Sequence, residues 1–130
     1  MTDPISDLII RIQNASRAGK ESVALLDSKV AFAVLEKLAH RGFIKKPVRK
    51  VQEDTKVIEV GLIYKEDKSP RIAGVRRYSK LSKRLYRGFR EIHRVKQGFG
   101  SMIVSTPKGI LADDEARKEQ VGGEILFSIW

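Results

Sequence analysis

Residues 98 to 130, GFGSMIVSTPKGILADDEARKEQVGGEILFSIW, constrain the fold of this chain more than any other stretch. Residues 101–106 form an apolar run that reads as a strand, and it gives way to turn chemistry at Ser105, Thr106, Pro107, Lys108 and Gly109. Residues 113–119 read as a helix with acids at the N-terminal end, where the helix macrodipole favours negative charge. Gly122 and Gly123 then turn the chain into a last strand at 124–130. The stretch therefore encodes a β-rich unit with one clear helix, and it delivers a small polar loop at a strand end. The hydroxyls of Ser105 and Thr106 each donate and accept hydrogen bonds, and Lys108 adds a point charge within the same turn.

The first half has a different rhythm. Pro4 follows Thr2 and Asp3, both capping residues, and Ile5, Leu8, Ile9 and Ile12 recur at i, i+3, i+4 and i+7, the pattern of an amphipathic helix. A short apolar strand at 23–26 leads to Asp27 or Ser28, either of which caps a second helix. Its Val30, Ala33, Val34, Leu38 and Ala39 are expected to face a core, and Gly42 ends it. Strand-like runs follow at 43–51 and 56–64, with 52–55 as the turn. The predicted architecture is α+β in two small domains: residues 1–64, αβαββ, and residues 65–130, β-rich with one clear helix, with a charged, linker-like run at 65–70. Residues 76–96 admit two readings. Tyr78, Leu81, Leu85, Phe89 and Ile92 fall at roughly helical spacing, which predicts a cationic amphipathic helix. Ser79, Ser82 and Gly88 favour instead a strand at 72–78, a turn at 79–82, a strand at 83–87 and a short helical segment near Glu91.

Charge points to the partner. The chain carries 26 Lys plus Arg against 16 Asp plus Glu, a formal net charge of +10, so a polyanion is its natural counterpart. Residues 71–96 alone hold ten cations, Lys80, Lys83, Arg84 and Arg87 among them, against the single acid Glu91, a net +9. A second cluster, Arg41, Lys45, Lys46, Arg49 and Lys50, lies within residues 37–52, which contain no acid. A window as dense as the first repels itself unless an anion joins it, which favours nucleic acid over a merely solvated face. With 42% of 130 residues hydrophobic, the chain has material for a real core. It contains no run of about eighteen apolar residues and begins with acidic residues, so neither a membrane span nor a signal peptide is expected, and the predicted location is cytoplasmic. The absence of cysteine removes disulfides and thiolate sites and agrees with a reducing compartment.

Catalytic patterns fail on their spacing. Gly98 and Gly100 make a G-x-G, but Ile103 stands where a dinucleotide fingerprint needs its third glycine. His40 and His93, the two histidines, stand in separate halves without ligand spacing, and Ser105 lacks the flanking glycines of a nucleophile elbow. Asp113, Asp114 and Glu115 read as a helix start and not as a Mg²⁺ site of a nuclease. The expectation is a protein with no enzymatic activity, metal, cofactor or small-molecule substrate.

The opening TDPISDLIIRIQNAS and the closing block 98–130, at this separation, resemble the bacterial form of the eighth small-subunit ribosomal protein family over almost the whole chain. The resemblance implies a two-domain α+β component of the small ribosomal subunit. It implies binding to the central domain of small-subunit rRNA early in assembly, chiefly through the C-terminal half, beside neighbouring ribosomal proteins. In some members it also implies translational repression through an mRNA mimic of that site. On this resemblance Ser105, Thr106, Pro107, Lys108 and Gly109 match the RNA-reading loop. The wide, shallow minor groove of A-form RNA displays base edges and 2′-hydroxyls within reach of such short side chains. Gly122, Gly123 and Glu124 match the turn before the last strand, where the glycines allow close backbone approach and Glu124 either contacts RNA or braces the loop. Tyr86 matches a tyrosine near a basic residue, here Arg84, and either stacks on an unpaired base or sugar or sits half-buried with its hydroxyl at the surface. Lys80, Lys83, Arg84 and Arg87 would neutralise phosphates without reading sequence. Thr2, Asp3, Asn14, Lys29 and Lys56 match polar positions of a second contact, although helix capping explains Thr2 and Asp3 almost as well. Three positions depart from the family pattern. Pro107 replaces a small hydroxyl residue and stiffens the turn, Leu81 and Ser82 replace a Pro-Gly turn, and Phe127 replaces a frequent cysteine. The competing readings are a basic DNA-binding module with a recognition helix in 76–96, and a free-standing mRNA-binding regulator.

Overall fold

The computed structural model describes residues 4–130, so the capping roles read for Thr2 and Asp3 lie outside the described residues. Contacts divide the chain into two compact units, one up to Ala73 and one from Gly74 to Trp130. The division falls after residue 73, whereas the sequence placed it after residue 64. Residues 65–70 are not a linker between the units but a turn within the first. There Lys65 N–H donates to Ser69 O and Arg71 N–H to Ile63 O, both at 2.9 Å.

The first unit runs α1 (Pro4–Arg17), β1 (Ser22–Leu26), α2 (Lys29–His40), β2 (Val48–Gln52) and β3 (Thr55–Gly61). Helix α1 buries Ile5, Leu8, Ile9 and Ile12, one stripe of a 3.6-residue period. Ser28 caps α2 by accepting from Ala31 N–H at 3.0 Å, an interaction worth about 1 kcal/mol. Gly42, at φ +84°, reverses the chain, with Gly42 N–H donating to Ala39 O and Phe43 N–H to Leu38 O, both at 3.0 Å. The buried face of α2 is Ala31, Val34, Leu35 and Leu38. Val30, assigned to the core from sequence, is 48% exposed because it lies at the margin of that stripe. The sheet is antiparallel in the order β1-β3-β2. β2 starts at Val48, five residues into the expected run, because Pro47 has no N–H for a ladder, and Ile44 makes only an isolated bridge to Leu62.

The second unit runs β4 (Val75–Arg77), β5 (Tyr86–Arg87), β6 (Ser101–Thr106), β7 (Gly109–Ala112), α3 (Asp113–Glu119) and β8 (Gly123–Ile129). β8 is central: β6 pairs with it on one side, β4 and β5 on the other, and β7 extends the sheet beyond β6. β4 and β5 are successive lengths of one edge, running the same way along β8. Between them Lys80 and Lys83 exchange backbone hydrogen bonds at 2.9 and 3.1 Å around Leu81 and Ser82, so a tight two-residue turn forms without the Pro-Gly pair. Buried Ser79 cinches the base of this loop: its hydroxyl donates to Leu85 O at 3.3 Å and accepts from Leu85 N–H at 2.9 Å. The strand reading of this window therefore holds and the helix reading does not. Residues Phe89–Glu91 add a single 3-10 turn. Tyr78, Leu85 and Ile92 meet around Val104, Ala116 and Ile125, brought together by chain reversal, not by helical periodicity.

Helix α3 is fastened at its start. Glu115 accepts from Ala112 N–H at 2.9 Å, the carboxylate half of a capping box, since the Ala112 methyl cannot accept in return. Asp113, 4% exposed, accepts from Met102 N–H and from the Arg117 guanidinium, each at 3.0 Å, and Arg117 donates onward to Ile92 O at 3.1 Å. The acids at this end thus hold the helix to β6 as well as complementing its dipole.

Candidate nucleic-acid interface

The β6–β7 turn is a tight reversal in which Thr106 faces Gly109 across Pro107 and Lys108. Gly109 supplies φ +106°, a conformation that L side chains rarely adopt. The Thr106 hydroxyl donates to Gly109 O at 2.8 Å and accepts from Lys108 N–H at 3.1 Å. Its single proton is therefore committed to the loop, and what it offers a ligand is an acceptor. The Ser105 hydroxyl has no hydrogen-bond partner among the described residues and keeps both functions available. Two hydroxyls that look equivalent in sequence thus differ in chemistry.

Around this turn the sheet gathers residues from three distant segments. A shallow groove is lined by Ser105, Thr106 and Pro107 from β6 and its turn, by Gly122, Gly123 and Glu124 at the start of β8, and by Tyr86 and Arg87 of β5. Gly88 and Glu91 complete it. The glycines are required by space: a Cβ at Gly122 would overlap the Arg87 carbonyl oxygen, and one at Gly123 the Ser105 carbonyl oxygen. This backbone approach brings β5 and β6 close to the start of β8. Tyr86, opposite Glu124 in the ladder, is 64% exposed, so it is not a half-buried core aromatic.

The cations divide into two sets. Arg84 donates to both carboxylate oxygens of Glu124, at 3.3 and 3.1 Å, so Glu124 braces Arg84, a role outside the two weighed from sequence. Arg87 lies 3.6 Å from Glu91, and Lys108 3.0 Å from Glu119 on α3. Lys80 and Lys83, on the exposed loop, have no carboxylate partner among the described residues. Gly88 and Glu91 were not singled out from the sequence, although Glu91 stands out as the sole acid of the basic window.

In the first unit Asn14 is exposed on α1, Lys29 is the exposed first residue of α2, and Lys56 is exposed near the start of β3. Lys56 shares a small hollow with Asp27, Arg49, Lys50 and Val51, which includes neither Asn14 nor Lys29. Part of the second basic cluster is spent internally. Arg49 lies 3.1 Å from Asp27 and stacks over Phe32 at 3.9 Å, and Lys50 lies 3.0 Å from Glu59.

Comparison with known proteins identifies the family. The family model described as Ribosomal protein S8 matches residues 3–130. The chain belongs to the ribosomal protein S8 family. It is similar to the small ribosomal subunit protein uS8 of a Nitratiruptor species, with 43% identity over 133 residues, covering 100% of this chain and 99% of the relative. The uS8 protein of Thermus aquaticus is 41% identical over 137 residues, with 100% and 99% covered. That of Kosmotoga olearia is 43% identical over 134 residues, with 99% and 98% covered. As an S8 family member the chain is a structural protein of the small ribosomal subunit, working in translation and not as an enzyme. Among the described residues no helix is long and apolar enough to cross a membrane, and no group of three or more His, Cys, Asp or Glu is placed to hold a metal ion.

Proposed function

We propose that this chain binds the central domain of small-subunit rRNA through the groove around Ser105 and Thr106 and thereby helps that domain to assemble. The observation that carries this reading is the convergence of Tyr86, Ser105, Thr106 and Glu124 on one shallow surface. A free Ser105 hydroxyl and an accepting Thr106 oxygen suit the mixed donors and acceptors of an RNA minor groove, and the exposed Tyr86 ring suits an unpaired base or sugar beside it. Lys80 and Lys83 add phosphate contacts that strengthen binding without selecting sequence. Neighbouring small-subunit proteins would then meet the complex as assembly proceeds. Because a few groups on an irregular RNA face suffice for this readout, an mRNA presenting the same groups would compete for the groove, which is the route to repression of the chain's own message.

A competition experiment tests the reading. The purified chain is bound to labelled central-domain rRNA and challenged with unlabelled duplex DNA, unrelated structured RNA and the chain's own mRNA, at two salt concentrations. Selective retention of the rRNA complex at the higher salt is expected, with displacement by the mRNA alone. Equal displacement by every polyanion would leave only a charged surface at work.

A further inference from the structure

The Arg87–Glu91 ion pair borders two grooves, not one. Beyond it from the Ser105–Thr106 surface lies a second groove whose floor is apolar, formed by Leu85, Val95, Met102 and Ile125. Its rim carries Arg76, Arg94 and Lys96, none of which has a carboxylate partner among the described residues. Two of these cations rest on aromatic rings that also line the groove. The Arg76 guanidinium lies 5.1 Å from the Tyr78 ring centroid and the Lys96 ammonium 4.7 Å from that of Trp130. The Trp130 ring is itself seated on Gly74, where any Cβ would collide with it at 2.6 Å. The rim is thus positive, partly fixed by ring contacts, and unneutralised.

The combination selects an occupant. Phosphates of an intact duplex satisfy the rim but leave the floor empty, because its bases are stacked inside the helix. An acidic peptide satisfies the rim through carboxylates but has no planar face for Tyr78 and Trp130. Unpaired nucleotides supply both, a base for the floor and rings and a phosphate for each cation. On the reading of the chain as an rRNA binder, we propose that this groove holds an unpaired RNA segment, with its base against Leu85 and Met102 and its phosphates on Arg76, Arg94 and Lys96. It is a second contact, separated from the hydroxyl groove by the Arg87–Glu91 pair.

Trp130 is the single tryptophan of the chain, so its emission reports on this groove directly. The full chain is titrated with a short single-stranded RNA oligonucleotide, with duplex RNA of equal length and with an oligoglutamate peptide. The single strand is expected to quench Trp130 at the lowest concentration. Replacing two rim cations, Arg76→Gln with Arg94→Gln, should raise that midpoint about tenfold. Both side chains belong to exposed residues, and circular dichroism confirms that the variant is folded. Thr106→Ala should leave the midpoint within about twofold, since it acts on the other groove. Absence of quenching by the single strand overturns the assignment. So does quenching by duplex or oligoglutamate at the same or lower concentration, or an equal shift from Thr106→Ala. Failure of the rRNA reading shows separately, as a labelled central-domain fragment held no more tightly than unrelated RNA.

Discussion

The Lys80–Lys83 loop and the Thr106–Gly109 turn both reverse the chain over two residues, and they differ in what becomes of their polar side chains. In the turn, side-chain bonds reinforce the ladder pairing of Thr106 with Gly109: the Thr106 hydroxyl bonds on both sides and Lys108 is tied to Glu119. In the loop, backbone bonds close the reversal, Ser79 cinches its base, and Lys80 and Lys83 point their charge at no carboxylate among the described residues. A polar group fixed in place can discriminate between ligands, because a misplaced partner leaves it unpaired. A cation on a flexible stem attracts phosphate wherever it lies and selects little. On the proposed function, specificity and affinity fall to different reversals of the same unit.

The steepest test of that division is Gly123→Ala. A Cβ there meets the Ser105 carbonyl, so β6 and β8 must separate, and a loss of about 3 kcal/mol in urea unfolding is expected, with loss of rRNA selectivity in the protein that remains folded. An unaltered unfolding midpoint would mean that the glycine is not what sets the groove. Thr106→Ala comes next. It should weaken binding to central-domain rRNA by about 1–2 kcal/mol while barely changing binding to unrelated RNA, and Thr106→Ser should restore most of the loss. Equal weakening on both RNAs would erase the distinction between turn and loop. A smaller effect is expected from Lys83→Gln, which should lower affinity for both RNAs alike and flatten the salt dependence by roughly one unit of slope. The same substitution at Arg84, already bonded to Glu124, should flatten it less.

Much of the fold is legible in sequence where local chemistry decides it. The stripe of α1, the Ser28 cap, the Gly42 stop and the acids of α3 act within one or two helical turns, and each appears where its residues place it. Failures come from contacts that close over distance. Tyr78, Leu85 and Ile92 mimic a helix because the 80–83 reversal returns the chain to the same core cluster, while Leu81, which a helix would bury, is 42% exposed. β7, only four residues long, carries too little pattern to read apart from β6. Of the candidate site, the hydroxyl turn and the glycine pair are local signals. The Arg84–Glu124 pair spans forty residues, and nothing nearby announces that Glu124 is committed to Arg84. Nor does composition distinguish the hydroxyl of Ser105 from that of Thr106, because the difference lies in which backbone atoms the turn brings within reach.

The central place of β8 has a consequence for the order in which a growing chain acquires its parts. β4, β5 and β6 all pair with residues 123–129, and those residues leave the site of synthesis after every strand they join. A nascent chain that ends before residue 123 holds the complete first unit in sequence, and it carries the whole +9 window, but its later strands have no common neighbour. Such an intermediate has the charge that attracts polyanions but not the assembled groove. On the proposed function, translation supplies charge first and the complete groove last, and a fragment released early would hold RNA by charge without the site that the finished strand completes.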